Sequence, residues 1–314
     1  MGRTIVVAGV VSFYMTLGVR ELPPPYASIS TPRWSAAGVS GAAGHIARVL
    51  RTLGDDVRLC SVVGRDLFGA VIRDELGGLG LYGPGVVESE RSSAGVVLAG
   101  PGGRRMGFPC LEPVNGVRYP PATFEAQARK ADLLVLTNAK FVRELVPRAA
   151  GLGVPIAVDA HLISDLGDPY NRPWLEAATI VFCSHERLPC RPDDWAFGLL
   201  RRYPRCAVVG VGLGAEGALV AMRDGRRIRV DAVTPRTVIN TAGAGDAMFA
   251  TFLHYMCDDG DPVRAARYAV THAGWKIGDR APVTVSLTRE ELSALVAAHG
   301  PYVAVDGDSP VTES

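Results

Sequence analysis

The sequence predicts an α/β protein with a central, mostly parallel sheet, helices on both faces of that sheet, and a small additional β flap. Strand-length apolar runs recur along the 314 residues and alternate with helix-like segments. Strands that are apolar throughout are typical of a parallel sheet covered on both faces. Hydrophobic residues make up 48% of the chain, which is enough to bury a large core.

The strands and helices can be placed in order along the chain. Strands are expected at residues 4–11, 57–63, 133–137, 156–159, 180–183 and 206–211. Helices are expected at residues 42–53, 67–76, 123–131, 141–150 and 193–202, with three more after Ala244. These elements predict a main domain made of residues 1–15, 36–90 and 120–299.

Two segments interrupt the alternation. Residues 16–35 are rich in proline, and residues 91–119 are rich in glycine and contain short β-prone pieces at 94–99 and 105–109. Together they predict a small β lid that projects from the main sheet, although two plain surface loops fit the spacing equally well. Residues 300–314 have little apolar surface to bury and are expected to fray.

Composition excludes several classes of partner. The formal net charge is only +1, and the short arginine clusters are expected to be solvated faces, so we expect no nucleic-acid partner. Apolar runs are too short or too interrupted for a membrane span. The six cysteines have no metal-ligand spacing and are typical of reduced core thiols in a cytoplasmic protein; they are Cys60, Cys110, Cys183, Cys190, Cys206 and Cys257.

The most informative motif is residues 240–246, Asn-Thr-Ala-Gly-Ala-Gly-Asp, which precedes an apolar helix-forming run. Gly243, Ala244 and Gly245 allow close approach of the backbone to a ligand, and the first amides of the following helix would bind an anion. Asp246 would repel a phosphate that is merely held, so we interpret it as a general base acting on an acceptor hydroxyl. A glycine-rich turn capped by an acid remains the alternative for the motif alone.

A second glycine motif, residues 212–217, matches G-x-G-x-x-G after a predicted strand. A dinucleotide-binding fingerprint must open a helix, yet the residues that follow predict a strand, an Asp-Gly turn and another strand. The pattern therefore argues against a NAD-dependent oxidoreductase.

The motifs together resemble the ribokinase-like, PfkB-type family of sugar and nucleoside kinases. The resemblance covers residues 4–295 and rests on the order of five segments: 40–47, 53–54, 63–69, 214–217 and 241–246. It implies that Asp246 is the catalytic base and that residues 242–245 form the anion hole.

On the donor side, the resemblance implies an ATP site. Its residues would be Gly212, Gly214, Gly217 and Thr241, with Ala273 and Gly274 in a helix that flanks the adenine. Gly212 stands where the family usually has a threonine, so a hydroxyl contact is lost. Packing between helices would explain the small residues Ala273 and Gly274 equally well.

The resemblance also implies Mg²⁺, which neutralises a triphosphate. Glu186 matches an acid that organises the ion through water, and Asp159 matches an acid near the phosphates. A helix cap is the alternative for Glu186. A monovalent cation and a homodimer formed through the lid are further expectations that the sequence does not decide.

The departures from the family pattern concentrate on the acceptor side, beside Gly41. Tyr14 stands where the family usually has an aspartate that binds sugar hydroxyls, and His45 stands where it usually has an asparagine. A phenol and an imidazole make fewer hydrogen bonds and offer more stacking surface, so the acceptor could be a modified sugar, a nucleoside or a cyclitol. Alternatively, both side chains are structural. Asn240 replaces the usual aspartate before Thr241.

Two functions follow from these expectations. The first is a working kinase that transfers the γ-phosphoryl group of ATP to a hydroxyl, which we expect to be primary. The second is a non-catalytic nucleotide- or sugar-binding protein that keeps the fold. The retained Asp246 favours the kinase, because a pure binder gains little from an acid beside phosphate.

Overall fold

Two β-sheets organise the chain in the computed structural model, which describes residues 3–281 and 285–307. The strands are β1 (Thr4–Ala8), β2 (Ser12–Gly18), β3 (Trp34–Ser40), β4 (Asp56–Gly64), β5 (Val86–Ser89), β6 (Ser93–Ala99), β7 (Arg105–Cys110), β8 (Leu133–Thr137), β9 (Ile156–Asp159), β10 (Ile180–Ser184), β11 (Val208–Gly212), β12 (Ala218–Met222), β13 (Arg226–Val230) and β14 (Val303–Gly307). The helices are α1 (Ala42–Leu53), α2 (Leu67–Gly78), α3 (Glu112–Asn115), α4 (Pro121–Ala128), α5 (Lys140–Arg143), α6 (Val146–Gly151), α7 (Arg172–Ala177), α8 (Pro192–Arg202), α9 (Ala244–Asp259), α10 (Pro262–Lys276) and α11 (Arg289–His299).

The larger sheet has ten strands in the order β14-β13-β12-β11-β10-β9-β8-β1-β4-β5. Seven of them, from β11 to β5, are parallel, and β12, β13 and β14 extend the sheet as antiparallel strands. The predicted fold class is thereby confirmed. Among the described helices, none is both long enough and apolar enough to cross a lipid bilayer.

Side chains of the central strands alternate between two cores, one on each face of the sheet. In β1, Ile5 and Val7 pack with α1, α9 and α10, whereas Val6 and Ala8 pack on the opposite face with the helices from α4 to α8. This is the period-two alternation of a strand that is buried on both sides. The apolar run that predicted a parallel sheet is therefore shared between two hydrophobic layers.

The four strands of the smaller sheet run in the order β3-β2-β6-β7. Strand β2 is antiparallel to β3 and parallel to β6, and β7 is an antiparallel edge strand. This sheet is the predicted lid. Its strands include residues 12–15 and 36–40, which the sequence analysis placed in the main domain; the division of the chain into domains otherwise stays a prediction.

Three central strands of the main sheet have their carboxyl ends on the same side of the sheet, and these ends position the candidate site. The carboxyl ends of β9, β10 and β11 are Asp159, Ser184 and Gly212; Ser184 pairs with Gly212, and Asp159 pairs with Phe182, two residues before the end of β10. Helix α9 packs beneath the sheet, with α1 and α10 against it. Ligands of open α/β sheets bind at such an edge.

Three expectations need correction. The helix predicted at residues 141–150 is two helices, α5 and α6, because Pro147 lacks an N–H donor and fits only the first turn of α6. The tail does not fray throughout: Val303–Gly307 pairs with β13 as β14, and residues 308–314 lie outside the described part. All six cysteines are free, but Cys110 and Cys190 are exposed and do not belong to the core.

Helices α9 and α10 share a buried polar contact that predicts acid sensitivity. The Nδ1 atom of His272 lies 2.7 Å from Thr251 Oγ1, and burial lowers the pKa of His272 from 6.5 to about 3, with the nearby His45 acting in the same direction. Between these pKa values only the unfolded chain binds the proton, so stability falls as pH drops below about 6.5.

We expect His272 to lower the free energy of unfolding by about 3 kcal/mol between pH 7.5 and pH 4.5. The variant Thr251→Val/His272→Leu removes the imidazole without orphaning the hydroxyl, and it should lose correspondingly less stability over that interval. Urea unfolding at the two pH values measures the difference. Thr251→Val alone is the control, since it retains the titrating ring; an equal acid loss in the double variant would contradict the assignment.

Candidate active site

The turn before α9 has the geometry of an anion site. Asn240 is fully buried; its Oδ1 accepts from the Ala242 N–H at 3.0 Å and its Nδ2 donates to the Arg280 carbonyl at 3.0 Å. Gly243 then adopts φ +82° as the helix N-cap, without a side-chain cap. A Cβ built on Gly245 would meet no atom within 4 Å. The positive end of α9 therefore faces open space.

Asp246 lies in the first turn of α9, close to three groups that sequence separates widely. Its Oδ2 is 3.5 Å from Nδ1 of His45, and its carboxylate belongs with Asp159 and His161 to a cluster whose ligand atoms lie within 4.8 Å of one another. Burial alone would raise the pKa of Asp246, but His45, His161 and Arg105 outweigh it and hold that pKa below its usual range. The carboxylate is therefore ionised at neutral pH.

His161 is a site residue that sequence reasoning missed. Its N–H donates to Asp159 Oδ1 at 2.9 Å, and its Nδ1 lies 3.1 Å from Asp159 Oδ2. Its backbone has φ +51°, a conformation that is uncommon for a residue with a side chain and that clusters at functional sites. Burial and the charge of Asp246 raise the pKa of Asp159. The spacing Asp-x-His at a strand end was the available signal.

Tyr14 and His45 both lie close enough to Asp246 for its charge to affect their pKa values. The Tyr14 ring packs so closely on Gly95 that a Cβ there would sit 2.4 Å from it, and burial together with the Asp246 charge raises the pKa of Tyr14. His45 is 2% exposed; burial lowers its pKa, so the neutral imidazole faces Asp246. The fold itself explains the glycine at position 41, because at φ +80° a Cβ would lie 2.5 Å from the Val10 carbonyl oxygen.

The loop after β11 follows the second glycine motif. His185 Nδ1 donates to the Gly212 carbonyl at 2.8 Å, Gly214 has φ +62°, and Gly217 has φ +95°. A Cβ on Gly217 would lie 1.9 Å from the Val230 carbonyl oxygen. Strands β12 and β13 follow this loop directly, as expected, so the helix that a dinucleotide fingerprint requires is replaced by a hairpin.

A groove of about 380 Å³ lies beside this loop, lined among others by Leu213, Glu216, Arg229 and Asp231. Ala273 and Gly274 lie in α10. Gly274 packs so tightly that a Cβ there would lie 1.9 Å from the Val233 carbonyl oxygen. Packing is therefore sufficient to explain this glycine.

The lid directly contacts the anion turn, residues 240–243 before α9. The Gly103 carbonyl accepts from both the N–H and the Oγ1 of Thr241, at 3.2 and 2.9 Å. Arg105 of β7, which sequence reasoning also missed, has Nη1 3.5 Å from Thr241 Oγ1 and 4.0 Å from the carboxylate of Glu186. The sequence indicated only weakly that Arg105 belongs to the site, because a basic residue of a predicted flap reaches the site only if the flap folds over it.

Of the two acids expected to organise a metal ion, Asp159 belongs to a cluster of possible ligands among the described residues and Glu186 does not. Asp159 is in the cluster with His161 and Asp246, which is the group of metal-type ligands that the described residues bring together. Glu186 is half exposed in the short 3₁₀ turn His185–Arg187, where its N–H donates to Ser184 Oγ at 3.3 Å. Ser184, and not Glu186, is thus the cap of this turn.

Comparison with known proteins identifies the family of the chain. The sequence model of the pfkB family carbohydrate kinases matches residues 194–289. An ATP-dependent ribose-1-phosphate kinase from Halopiger xanaduensis is 30% identical over 272 residues, which are 83% of this chain and 88% of that protein.

Solved structures share the fold across nearly the whole chain. The microbiome-derived acarbose kinase Mak1 superposes with a TM-score of 0.81 at 23% identity, covering 94% of this chain and 99% of its own. Arabidopsis thaliana ribokinase, solved with ribose and ATP, gives a TM-score of 0.76 at 18% identity, covering 94% and 99%. At these identities the likeness establishes the ribokinase fold.

The fold and the site define a kinase of small molecules with an alcohol group as acceptor. The chain belongs to the PfkB family of carbohydrate kinases. Kinases of this family use ATP and Mg²⁺. The alternative of a non-catalytic binding protein accordingly loses its support.

The two glycines Gly245 and Gly217 predict opposite outcomes for the same substitution. Gly245→Ala adds a methyl group to open space in a helix, so stability should stay equal or rise by up to about 1 kcal/mol, while affinity for ATP should fall at least about tenfold. Gly217→Ala should lower the free energy of unfolding by about 2 kcal/mol or more through strain and overlap.

Urea unfolding and nucleotide titration by calorimetry measure both effects in the two variants. If Gly245→Ala binds ATP as tightly as the wild type, the turn is not the phosphate site.

Proposed function

We propose that the chain transfers the γ-phosphoryl group of ATP to a hydroxyl of a sugar, a nucleoside or a related polyol, with Asp246 as general base. The observation that carries this proposal is the ionised Asp246 carboxylate beside the open positive end of α9. A base needs a free carboxylate, and a phosphoryl group in transfer needs oriented amides. Residues 243–246 offer both within one helical turn.

In this reaction Asp246 accepts the proton of the acceptor hydroxyl. The hydroxyl oxygen forms a bond to the γ-phosphorus, the bond from that phosphorus to the β,γ-bridging oxygen breaks, and ADP leaves with the electron pair. The amides at Gly243, Ala244 and Gly245 would stabilise the charge of the phosphoryl oxygens. We expect the acceptor hydroxyl to be primary, because a base at a helix mouth reaches an unhindered group most easily.

The donor would lie along the loop 212–217, with its phosphates near Gly212, Gly214 and Thr241. The groove of about 380 Å³ beside Leu213 offers room for the base, and Ala273 with Gly274 would flank it. For the divalent ion, the hard carboxylate oxygens of Asp159 and, through water, of Glu186 are of the type that Mg²⁺ prefers. When bound, Mg²⁺ supplies charge neutralisation of the triphosphate.

The acceptor would lie between Tyr14, Gly41 and His45. Besides these residues, His161 and Arg105 bring basic groups close to Asp246, which favours an acceptor that already carries a negative charge. Ribose 1-phosphate is therefore the first compound to test, since the relative from Halopiger xanaduensis is named for it. Free ribose, nucleosides and cyclitols complete the panel.

We also propose that the chain forms a homodimer through the outer face of the lid. Tyr14 faces Asp246, so by strand alternation Met15 faces away from the site, and the register places Val96 and Phe108 beside it. Met15, Met106 and Phe108 are 42%, 40% and 50% exposed. An apolar patch on a sheet with an exposed edge strand, β7, is typical of an association surface.

Asp246→Asn tests the base. The amide preserves shape but cannot accept the proton, so kcat should fall by about 10² to 10⁴ while affinity for ATP and thermal stability stay close to wild type. The assay is phosphate transfer from ATP·Mg²⁺ across the acceptor panel. Asp224→Asn, which removes an exposed carboxylate in the turn between β12 and β13, is the matched control; near-wild-type turnover in Asp246→Asn would remove Asp246 from the mechanism.

Phe108→Glu tests the dimer. A charge within the apolar patch should convert the wild-type dimer into a monomer in analytical ultracentrifugation, because burying an unpaired carboxylate in an interface is costly. Leu152→Glu is the control, since Leu152 directly follows α6, outside the lid, and is similarly exposed, at 40%. A monomeric wild type would contradict the proposal.

A further inference from the structure

A buried lysine lies at the carboxyl end of α10. Lys276 is the last residue of the helix and is 2% exposed, and its Nζ donates to the Ala281 carbonyl at 3.4 Å. Lysine is rarely buried so completely, because its ammonium loses hydration. Neither the fold nor the reaction described above uses this charge.

Lys276 directly precedes residues 277–281, which form hydrogen bonds with the anion turn and the residue before it. The Ile277 carbonyl accepts from the N–H groups of Ile239 and Asn240, at 2.8 and 3.0 Å. The Arg280 carbonyl accepts from Asn240 Nδ2 at 3.0 Å. Residues 277–281 and 239–242 are therefore fixed to each other, and the ammonium of Lys276 is anchored to the same segment through Ala281.

The charges around Lys276 place it in the electrostatic environment of the reaction. Burial lowers its pKa to about 8, Asp279 and Asp246 act to raise that pKa, and Arg236 and Arg105 act to lower it. In turn, Lys276 contributes to the lowered pKa of His45. Asp279 is shared with Arg236, 3.1 Å away, so it does not neutralise the lysine alone.

We propose that Lys276 is a positioning residue, a tethered cation beneath the phosphate-binding turn, in the role for which a monovalent cation was expected. This inference rests on the proposed function. A fixed positive charge behind the turn stabilises the negative charge of a transferring phosphoryl group without a binding equilibrium of its own. The wild type should consequently need no K⁺ or NH₄⁺ for full activity.

Lys276→Met tests the charge, because methionine fills nearly the same volume without it. We expect kcat to fall about 10- to 100-fold with the acceptor KM nearly unchanged, since the charge acts mainly on the transition state. Thermal stability should stay equal or rise, because a buried amine is replaced by an apolar chain. Val270→Ala, which opens a small cavity on the same helix, is the control and should lose stability with unchanged kcat.

Two readouts distinguish a cation from a merely structural residue. In Lys276→Ala, NH₄⁺ or K⁺ should restore part of the activity at constant ionic strength, whereas the larger tetramethylammonium ion should not. In addition, the wild-type rate should decline as the pH rises through about 8, where Lys276 loses its proton, and Lys276→Met should lack this decline.

The outcomes separate the two proposals. A wild type inactive on every acceptor, with and without K⁺, would overturn the proposed function. A wild type that is active only when K⁺ or NH₄⁺ is present would overturn the role of Lys276 alone, and so would an unchanged kcat in Lys276→Met. If Lys276→Met does not fold, the dependence of the wild type on monovalent cations decides.

Discussion

The site depends on one electrostatic constraint, the proximity of two carboxylates at the edge of the sheet. Asp159 and Asp246 have ligand atoms within 4.8 Å of each other, and two largely desolvated acids at that distance cannot both be charged without a large cost. The surroundings of the two carboxylates raise the pKa of Asp159 and lower that of Asp246. Titratable pairs whose pKa values are driven apart are typical of acid and base assignments in enzymes.

The groups that separate these two pKa values come from different parts of the fold. His45 lies on α1, His161 follows β9, and Arg105 belongs to β7 of the lid. The contribution of Arg105 to the lowered pKa of Asp246 is the smallest of the three, and it comes from the lid, which contacts Thr241. A lid that opened would withdraw a positive charge from the base at the same moment as it admitted water. Closure of the lid, which stays a prediction, would exclude solvent and would add this small contribution to the charged form of the carboxylate.

The sequence predicted what depends on local pattern and missed what depends on distant contacts. The sheet class, the bounds of α1 and the turn before α9 followed from apolar periodicity, glycine and the helix start, all of which are local. His161 was missed because its position relative to Asp246 is set by the order of the parallel strands. Lys276 was missed because helical spacing does not reveal which end of α10 contacts the anion turn. Strand β14 was missed for a related reason: its pairing with β13 compensates for a segment with few apolar residues.

Glycine occupies the motif positions for different physical reasons, and these reasons indicate where a ligand can bind. Gly41 and Gly217 combine positive φ with backbone overlap, and Gly274 meets a carbonyl oxygen, so each is required by the fold alone. Gly245 is different, since it is helical and a Cβ would touch nothing. A glycine at the start of a helix lowers helix stability relative to alanine, and packing gives no compensation here. The space above Gly245 lies at the positive end of α9, next to an ionised carboxylate, and is therefore suited to a bound anion.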